Sequence, residues 1–238
     1  AAQLAFEYWY EALTADQVNT NFNAAFKEHD DGTWRSHDYL FDGARTTDLG
    51  LVEGIGAFIA PGEMTIERKR TLTATLNAIL HVGPGQRHSL ESLWYVTPFG
   101  DALIYAPHRD DRLEFYRRTA PSDSDFANAP FVLDVNPENN PSRQSLCRGL
   151  GRALWDMSGQ SLVSSCQTPS YIGDSYVGAW GTTLIVGERL AATVANSGNG
   201  RHILIASMDN DLIAGPGSDI LDMMTVAEVT TLGDRYKW

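Results

Sequence analysis

The 238-residue sequence has no apolar run that approaches the roughly 18 to 20 residues required by a membrane-spanning helix. Cysteine is scarce as well, since Cys147 and Cys166 allow at most one internal disulfide and do not reveal the compartment. Basic residues number 18 against 30 acidic ones, which gives a formal net charge of −12. Because a nucleic-acid backbone binds to a basic face, we expect no nucleic-acid partner. The hydrophobic content of 43% is sufficient for one large core or two smaller ones.

The common signatures of catalysis are missing too. The sequence has no Gly-x-Ser-x-Gly elbow, no phosphate-binding loop and no Gly-x-Gly-x-x-Gly after a strand. Its six histidines form no compact metal-ligand spacing, and its cysteines form no Cys-x-x-Cys pair. We therefore expect no catalytic residue, no metal and no cofactor in this chain.

Helical spacing of apolar residues predicts two consecutive helices, over residues 4–13 and 18–26. Thr14 has the position of an N-cap ahead of the second helix. A longer helix is predicted over residues 65–81, and Gly83-Pro84-Gly85 is expected to end it.

The β signal is strongest in a hairpin formed by residues 92–97 and 102–106. Before it, residues 28–50 read as an irregular connector and residues 51–60 as a buried strand. After it, residues 106–145 are polar and rich in proline, and we call them the excursion. The elements predicted beyond the excursion are strands at 154–156, 161–168 and 175–186 with a turn at 169–174, a helix at 187–196, and a hairpin of residues 201–207 and 211–214.

Aromatic and polar side chains gather on the hairpin, the excursion and the following strands, as a small-molecule pocket requires. The alternative is that these rings pack in the core or on a sheet face. Arg117 offers a planar fork for a carboxylate and Asp156 a partner for an amine or hydroxyl, although both also form ordinary surface ion pairs. The candidate ligand-binding residues are Tyr105, Tyr116, Arg117, Trp155, Asp156, Ser164 and Thr183.

Four short segments carry a resemblance to a known family: residues 136–143, 154–156, 163–169 and 176–181. In their order and spacing they are similar to segments of Cache domains, the extracytoplasmic sensor domains of bacterial signalling receptors. The resemblance implies an α+β fold, with a PAS-like antiparallel sheet flanked by helices and a long N-terminal helical segment. It also implies a helical approach and connector at 1–53, a main sensing module at 54–195, and a second, smaller or truncated module at 196–238.

The resemblance further implies a function. Such a domain is the periplasmic part of an inner-membrane protein, flanked by transmembrane helices, and it binds a small molecule and shifts a cytoplasmic output, as a homodimer in the full-length receptor. Residues 41–45 and 203–216 are also similar to segments of such sensors attached to histidine kinases, so a sensor histidine kinase is the expected output, with a diguanylate cyclase or chemoreceptor as the alternative. Two other interpretations stay open. One is a secreted carbohydrate- or peptide-binding module without a signalling role, or a weak hydrolase, and the other is a mechanical dimerisation domain. The domain itself is not expected to be an enzyme.

Two details follow from the resemblance. Thr183 stands where family members that bind amino acids carry an Asp, which favours a neutral or carboxylate ligand, or no small ligand. A periplasmic location would allow Cys147 and Cys166 to form a disulfide. If residues 157–160 form a tight turn, however, Cys166 should pair near Gly151, which is too far from Cys147 for a disulfide unless the chain bulges.

Overall fold

The computed structural model of the protein describes residues 1–43, 45–47, 50–87, 91–152, 162–185, 205–206 and 212–214. The chain divides into two compact units. The first unit contains residues 1–147 and 165–183, and the second contains residues 148–164 and 184–238. In the described part of the chain, no helix has both the length and the apolar character needed to cross a membrane.

The helices and strands follow one another in an α+β order. The helices are α1 (Ala2–Ala12), α2 (Ala15–Ala25), α3 (Tyr39–Asp42), α4 (Ile66–Gln86) and α5 (Pro130–Leu133), with a π-helical turn at Phe115–Thr119. The strands are β1 (Phe26–Glu28), β2 (Trp34–Ser36), β3 (Arg45–Thr47), β4 (Gly50–Val52), β5 (Ile55–Ile59), β6 (Ser92–Val96), β7 (Ala102–Tyr105), β8 (Leu146–Arg152), β9 (Leu162–Ile172), β10 (Ser175–Ile185), β11 (Ile205–Ala206) and β12 (Leu212–Ala214).

The main sheet has eight strands in the order β1-β2-β5-β7-β6-β10-β9-β8. Most of the sheet follows the predicted order of elements along the chain. The β6–β7 hairpin precedes the excursion, and three further strands follow it, of which β10 pairs antiparallel with β6. Strands β5, β2 and β1 extend the sheet beyond β7. The predicted α+β class and PAS-like antiparallel sheet are therefore confirmed.

The two faces of the sheet are covered by different parts of the chain. Alternate strand residues point to one face, where Leu103, Tyr95 and Trp180 join a buried core with α1, α2 and α4. Phe6 of α1, for example, stacks on Tyr95 with ring centroids 5.4 Å apart. We call this the helix face. The intervening residues point to the opposite face, the excursion face, which residues 113–131 of the excursion contact.

Both N-terminal helices form as predicted, at slightly shifted bounds. Thr14 caps α2, and its side chain and that of Gln17 form a reciprocal capping box. The predicted end of α4 at Gly83-Pro84-Gly85 is wrong, because the helix continues to Gln86. Gly83 serves close packing instead, since a Cβ there would lie only 3.1 Å from the Tyr105 ring. Pro84 has no N–H to donate and its ring crowds the carbonyl four residues earlier, yet α4 continues for two residues beyond it.

Several strand predictions need correction. The connector at 28–50 contains β1, β2, α3 and β3, each too short to produce a periodic pattern. The first strand after the excursion is β8 at 146–152, whereas the predicted 154–156 lies outside the described residues. Strand β9 continues through Pro169 to Ile172, so the turn is confined to Gly173 and Asp174, with Gly173 at a left-handed φ of 58°.

At the end of the chain, the predicted hairpin is present as β11 and β12, which pair antiparallel. The predicted helix at 187–196 lies outside the described residues. The predicted domain boundaries at 53 and 195 stay a prediction.

The expectation that register would keep the cysteines apart is wrong, because Cys147 and Cys166 form a disulfide. Their Cα atoms are 3.9 Å apart. Ser145 lies two residues before Cys147, and Thr168 lies two residues after Cys166. The hydroxyls of these two residues are hydrogen-bonded at 2.7 Å, as expected for neighbours on antiparallel strands. Cys166 therefore lies beside Cys147 and not near Gly151, the position that a tight turn at 157–160 predicts.

Candidate functional site

The excursion face is the candidate site, and one cross-strand row runs across it. Gly56, Ile104, Trp94 and Gly181 lie side by side on β5, β7, β6 and β10. The two glycines at the ends of this row leave space for larger neighbours. A Cβ on Gly181 would overlap the ring of Trp94, and one on Gly56 would lie 3.1 Å from Leu113 and Arg117 of the excursion.

Trp94 and Thr183 form a polar pair at the β10 end of the row. The indole N–H of Trp94 donates to the Thr183 hydroxyl at 3.0 Å, and both residues are buried. Phe131 of α5 packs edge-on against the Trp94 ring, with centroids 4.9 Å apart. Thr183 is among the predicted ligand-binding residues, whereas Trp94 belongs to the aromatic side chains that could enclose a pocket and is not among them. Trp94 lies next to Thr183 because β6 pairs with β10, and the sequence pattern of either strand alone does not reveal this pairing.

Tyr116 and Arg117 lie at the β5 end, in the π-helical turn of the excursion. Tyr116 is buried, and this burial raises the pKa of its phenol. Arg117 is also buried, and its guanidinium donates to Asp38 at 3.0 Å and to Asp42 at 3.2 Å. Its Nε is buried without a hydrogen-bond partner. Arg117 therefore already has two carboxylate partners within the protein, and its predicted role toward a ligand anion stays a prediction.

The two carboxylates beside Arg117, those of Asp38 and Asp42, have lowered pKa values. Burial opposes the ionisation of Asp38, but hydrogen bonds and charge from Arg118 and Arg117 outweigh it and lower its pKa. The pKa of Asp42 is lowered in the same way, with burial opposed by Arg112 and Arg117. Both side chains therefore stay ionised down to acidic pH.

Sequence reasoning missed Arg35, which is the largest fully buried side chain in the described part of the chain. It lies on the excursion face of β2, and its guanidinium is 4.4 Å from the centre of the Phe58 ring. Burial lowers the pKa of Arg35, and three hydrogen bonds offset the loss of water: to the Thr33 hydroxyl and to the carbonyls of Tyr116 and Ala120. Nothing in a three-residue strand distinguishes such an arginine from a solvent-facing one.

Of the remaining predicted residues, Tyr105 lies on the other face of the sheet. Tyr105 points to the helix face, against Gly83, and its buried hydroxyl has no hydrogen-bond partner. Burial raises the pKa of this phenol. Ser164 lies half-buried in β9. Trp155 and Asp156 lie outside the described residues.

Distance separates the two ends of the excursion face as well. Strands β5 and β10 are three steps apart in the sheet, and at about 4.8 Å for each step they lie about 14 Å apart. A ligand of the size of an amino acid that lies against one of these two strands would therefore not reach the other. The structure brings together Tyr116 with Arg117, and Thr183 with Trp94, as two separate pairs.

The groups on the excursion face are suited to binding. A hydroxyl and an indole N–H can form hydrogen bonds to a neutral or anionic ligand, and aromatic walls can cover its apolar part. Among the described residues, no group of three or more His, Cys, Asp or Glu side chains is arranged to hold a metal ion.

Neither a protein-family model nor a curated protein matches the chain. Some solved structures are similar to part of the chain. The sensory domain of the Campylobacter jejuni chemoreceptor Tlp3 with isoleucine bound is 17% identical, with a TM-score of 0.43 over 67% of this chain and 60% of that one. The ligand-binding domain of the Pseudomonas fluorescens chemoreceptor CtaA in complex with L-serine is 18% identical, with a TM-score of 0.39 over 63% and 60%.

A third similar structure is the ligand-binding domain of Mlp24 with asparagine, which is 18% identical, with a TM-score of 0.44 over 62% of this chain and 59% of that one. The chain spans about three fifths of the length of each of these structures. All three are sensory or ligand-binding domains.

Proposed function

We propose that the chain is the extracytoplasmic small-molecule-sensing domain of a transmembrane signalling receptor, and that the ligand binds on the excursion face. The observation that carries this proposal is the buried polar pair of Trp94 and Thr183 on a sheet face that the excursion covers. Small-molecule sites share this arrangement, in which a few fixed polar groups lie among apolar and aromatic walls. Sensing needs no catalytic residue, only different ligand affinities in two conformations.

We place the ligand at the β10 end of the face. There the Thr183 hydroxyl retains acceptor and donor capacity beyond its bond from Trp94. At the β5 end, Arg117 is balanced by Asp38 and Asp42, so an incoming anion would have to displace them. A neutral ligand, or one whose carboxylate accepts from the hydroxyl, fits the described groups best.

The membrane context and the output rest on the sequence resemblance alone. We propose flanking transmembrane helices, a periplasmic location, a homodimeric receptor and a sensor histidine kinase, with a diguanylate cyclase or a chemoreceptor as the alternative. The full-length gene product decides between these outputs, because each has a different cytoplasmic domain. A cleaved signal peptide without any membrane helix in that product would instead support a secreted binding module.

A thermal-shift screen of the 238-residue chain against amino acids, carboxylic acids and purines tests ligand binding. We expect at least one class to raise the Tm. Thr183→Val, which keeps the shape but removes the hydroxyl, should then weaken binding at least tenfold, about 1.4 kcal/mol. Tyr105→Phe is the matched control, because it removes a hydroxyl on the helix face and should change the affinity by less than threefold.

Two results would contradict the proposal. If no compound raises the Tm, the mechanical dimerisation domain becomes the better interpretation. If Tyr105→Phe weakens binding more than Thr183→Val does, the ligand lies on the helix face and the assignment of the site is wrong.

A further inference from the structure

Two buried arginines join the start of the excursion to the connector. The first of them, Arg35, lies in the connector and binds the excursion. Arg35 on β2 donates Nη1 to the carbonyl of Tyr116 at 2.9 Å and Nη2 to the carbonyl of Ala120 at 2.7 Å. These carbonyls lie in and just after the π-helical turn of the excursion. Arg35 therefore fixes the path of the excursion backbone.

The second arginine reaches in the opposite direction. Arg117, within the π-helical turn, donates Nη2 to Asp38 and Asp42, which flank Phe41 in and before α3. Its guanidinium also lies 4.8 Å from the centre of the Phe41 ring. Arg118, which is half exposed, forms a further ion pair with Asp38 at 3.1 Å. We call the contacts of Arg35 and Arg117 with these partners the latch.

Burial of its two arginines makes the latch energetically unfavourable to open. The side chains of Arg35 and Arg117 are only 2% and 1% exposed. If the excursion separated from the connector, Arg117 would lose both carboxylates, and Arg35 would lose two backbone carbonyls and keep only its partners within the connector. A buried charge without compensating partners is strongly unfavourable. The two segments are thus expected to move together, or to separate only when both arginines reach water.

The excursion is also held in a conformation that it would not keep alone. Arg112 and Leu113 are consecutive residues with a left-handed φ of 54° each. L-amino acids are destabilised in this region, and such conformations persist only where the surroundings enforce them. The Leu113 side chain fits into the space beside Gly56, and Arg112 forms an ion pair with Asp42.

The connector, in turn, is attached to the end of α2. The Tyr39 hydroxyl donates to the carbonyl of Ala24 at 2.8 Å, and the N–H of His37 donates to the carbonyl of Ala25 at 2.9 Å. Asp38, a partner of Arg117, lies between these two residues. A continuous set of contacts therefore runs from the excursion through Asp38 to the C-terminal end of α2.

We propose that this latch couples the excursion to α2, so that a displacement of residues 109–120 is transmitted to residues 37–42 and to the end of α2. Ligand binding on the excursion face would supply the displacement, and in that respect the inference rests on the proposed function. The latch itself requires no ligand. It can therefore be tested separately.

Hydrogen exchange of the ligand-free chain, followed by mass spectrometry, provides the test. The double variant Asp38→Asn with Asp42→Asn leaves the Arg117 charge without its carboxylates. We expect amide exchange to accelerate at least tenfold in both residues 109–120 and residues 37–43, whereas the middle of α4 keeps its protection. Asp174→Asn is the control for loss of negative charge, because it removes one carboxylate, as Asp38→Asn alone does, from an exposed ion pair with Arg143.

The coupling is refuted if exchange accelerates in only one of the two segments, above all in residues 37–43 while residues 109–120 stay protected, or if neither segment changes. The single variant Asp38→Asn gives the same readout if the double variant does not fold. Leu113→Gly provides a second measurement: glycine relieves the left-handed conformation but loses the contact with Gly56, so both segments should again exchange faster together. Failure of every ligand in the thermal-shift screen would leave these exchange results unaffected, which separates the two proposals.

Discussion

The guanidinium of Arg68 and the carboxylate of Asp101 form a buried, two-bonded ion pair, with Nε–Oδ2 at 3.1 Å and Nη2–Oδ1 at 2.5 Å. Asp101 has no exposed surface, and it accepts two more hydrogen bonds, from the backbone N–H of Ala60 and the hydroxyl of Thr97. This carboxylate thus ties the β6–β7 turn to the first turn of α4 and to the end of β5.

Asp101→Asn should destabilise the protein by about 3 to 5 kcal/mol, because it leaves the Arg68 charge buried without its partner. Urea denaturation followed by circular dichroism measures this loss. Asp174→Asn is a suitable control, since its carboxylate is 99% exposed and its loss should change stability by less than about 1 kcal/mol. Equal effects of the two substitutions would show that the buried pair contributes no more than a surface pair.

Gly181→Ala should disturb the candidate site directly. A Cβ at this position would overlap the Trp94 ring, so the indole must move and lose its hydrogen bond to Thr183. We expect a loss of about 1 to 3 kcal/mol in the free energy of unfolding. A shift of the tryptophan emission should accompany it, although the chain has six tryptophans. The Trp94 signal is the difference between each protein, wild-type or Gly181→Ala, and the same protein carrying Trp94→Phe.

A second glycine provides the comparison. Gly85 lies in α4, and a Cβ there would meet no atom within 4 Å. Gly85→Ala should therefore stabilise the protein by about 0.5 to 1 kcal/mol, because alanine loses less conformational freedom in a helix. If both alanine variants were destabilised alike, close packing would not be the reason for the glycine at 181.

The elements that the sequence predicts well are those with a strong periodic pattern. The β6–β7 hairpin and helices α1 and α2 have such patterns, and the structure confirms them within a few residues. Strands β1 and β2 have three residues each, which is too few for a period. Their formation depends on pairing with each other and with β5, and such pairing is a tertiary effect.

The site was harder to predict because its partners are far apart in sequence. Arg35 and Tyr116 are separated by 81 positions, and Trp94 and Thr183 by 89. Residue type alone suggested Arg117 as an anion partner, but not that Asp38 and Asp42 would already hold it. Tyr105 illustrates the second difficulty, since a strand pattern shows that residues alternate but not which face is covered by which segment.

The disulfide should contribute substantially to stability. The bridge between Cys147 and Cys166 closes a loop with a sequence separation of 19, which in the chain-entropy model corresponds to about 3 kcal/mol. Replacing both cysteines by serine should lower the free energy of unfolding by about this amount. Urea denaturation of the wild-type protein with and without reductant provides an independent measurement. Identical midpoints in the two conditions would show that the bridge does not form in solution.

The latch carboxylates should make stability depend on pH at the acidic end. The pKa values of Asp38 and Asp42 are lowered in the folded protein, where burial is outweighed by hydrogen bonds and charge from Arg118, Arg112 and Arg117. Their contribution is therefore fully present above the unfolded pKa of about 3.9, and it is lost as the pH falls through the folded values. Because the side chains are 55% and 30% exposed, solvent screening keeps this contribution modest.

The test compares the wild-type protein with the double variant Asp38→Asn with Asp42→Asn. The difference in their free energies of unfolding should be constant between pH 5 and 7, at least about one unit above the unfolded pKa, and should shrink below about pH 4. Urea titrations at several pH values measure it, with Asp174→Asn as the control for general loss of negative charge. A difference that grows as the pH falls would have the opposite sign, and would mean that the arginines do not stabilise the ionised carboxylates.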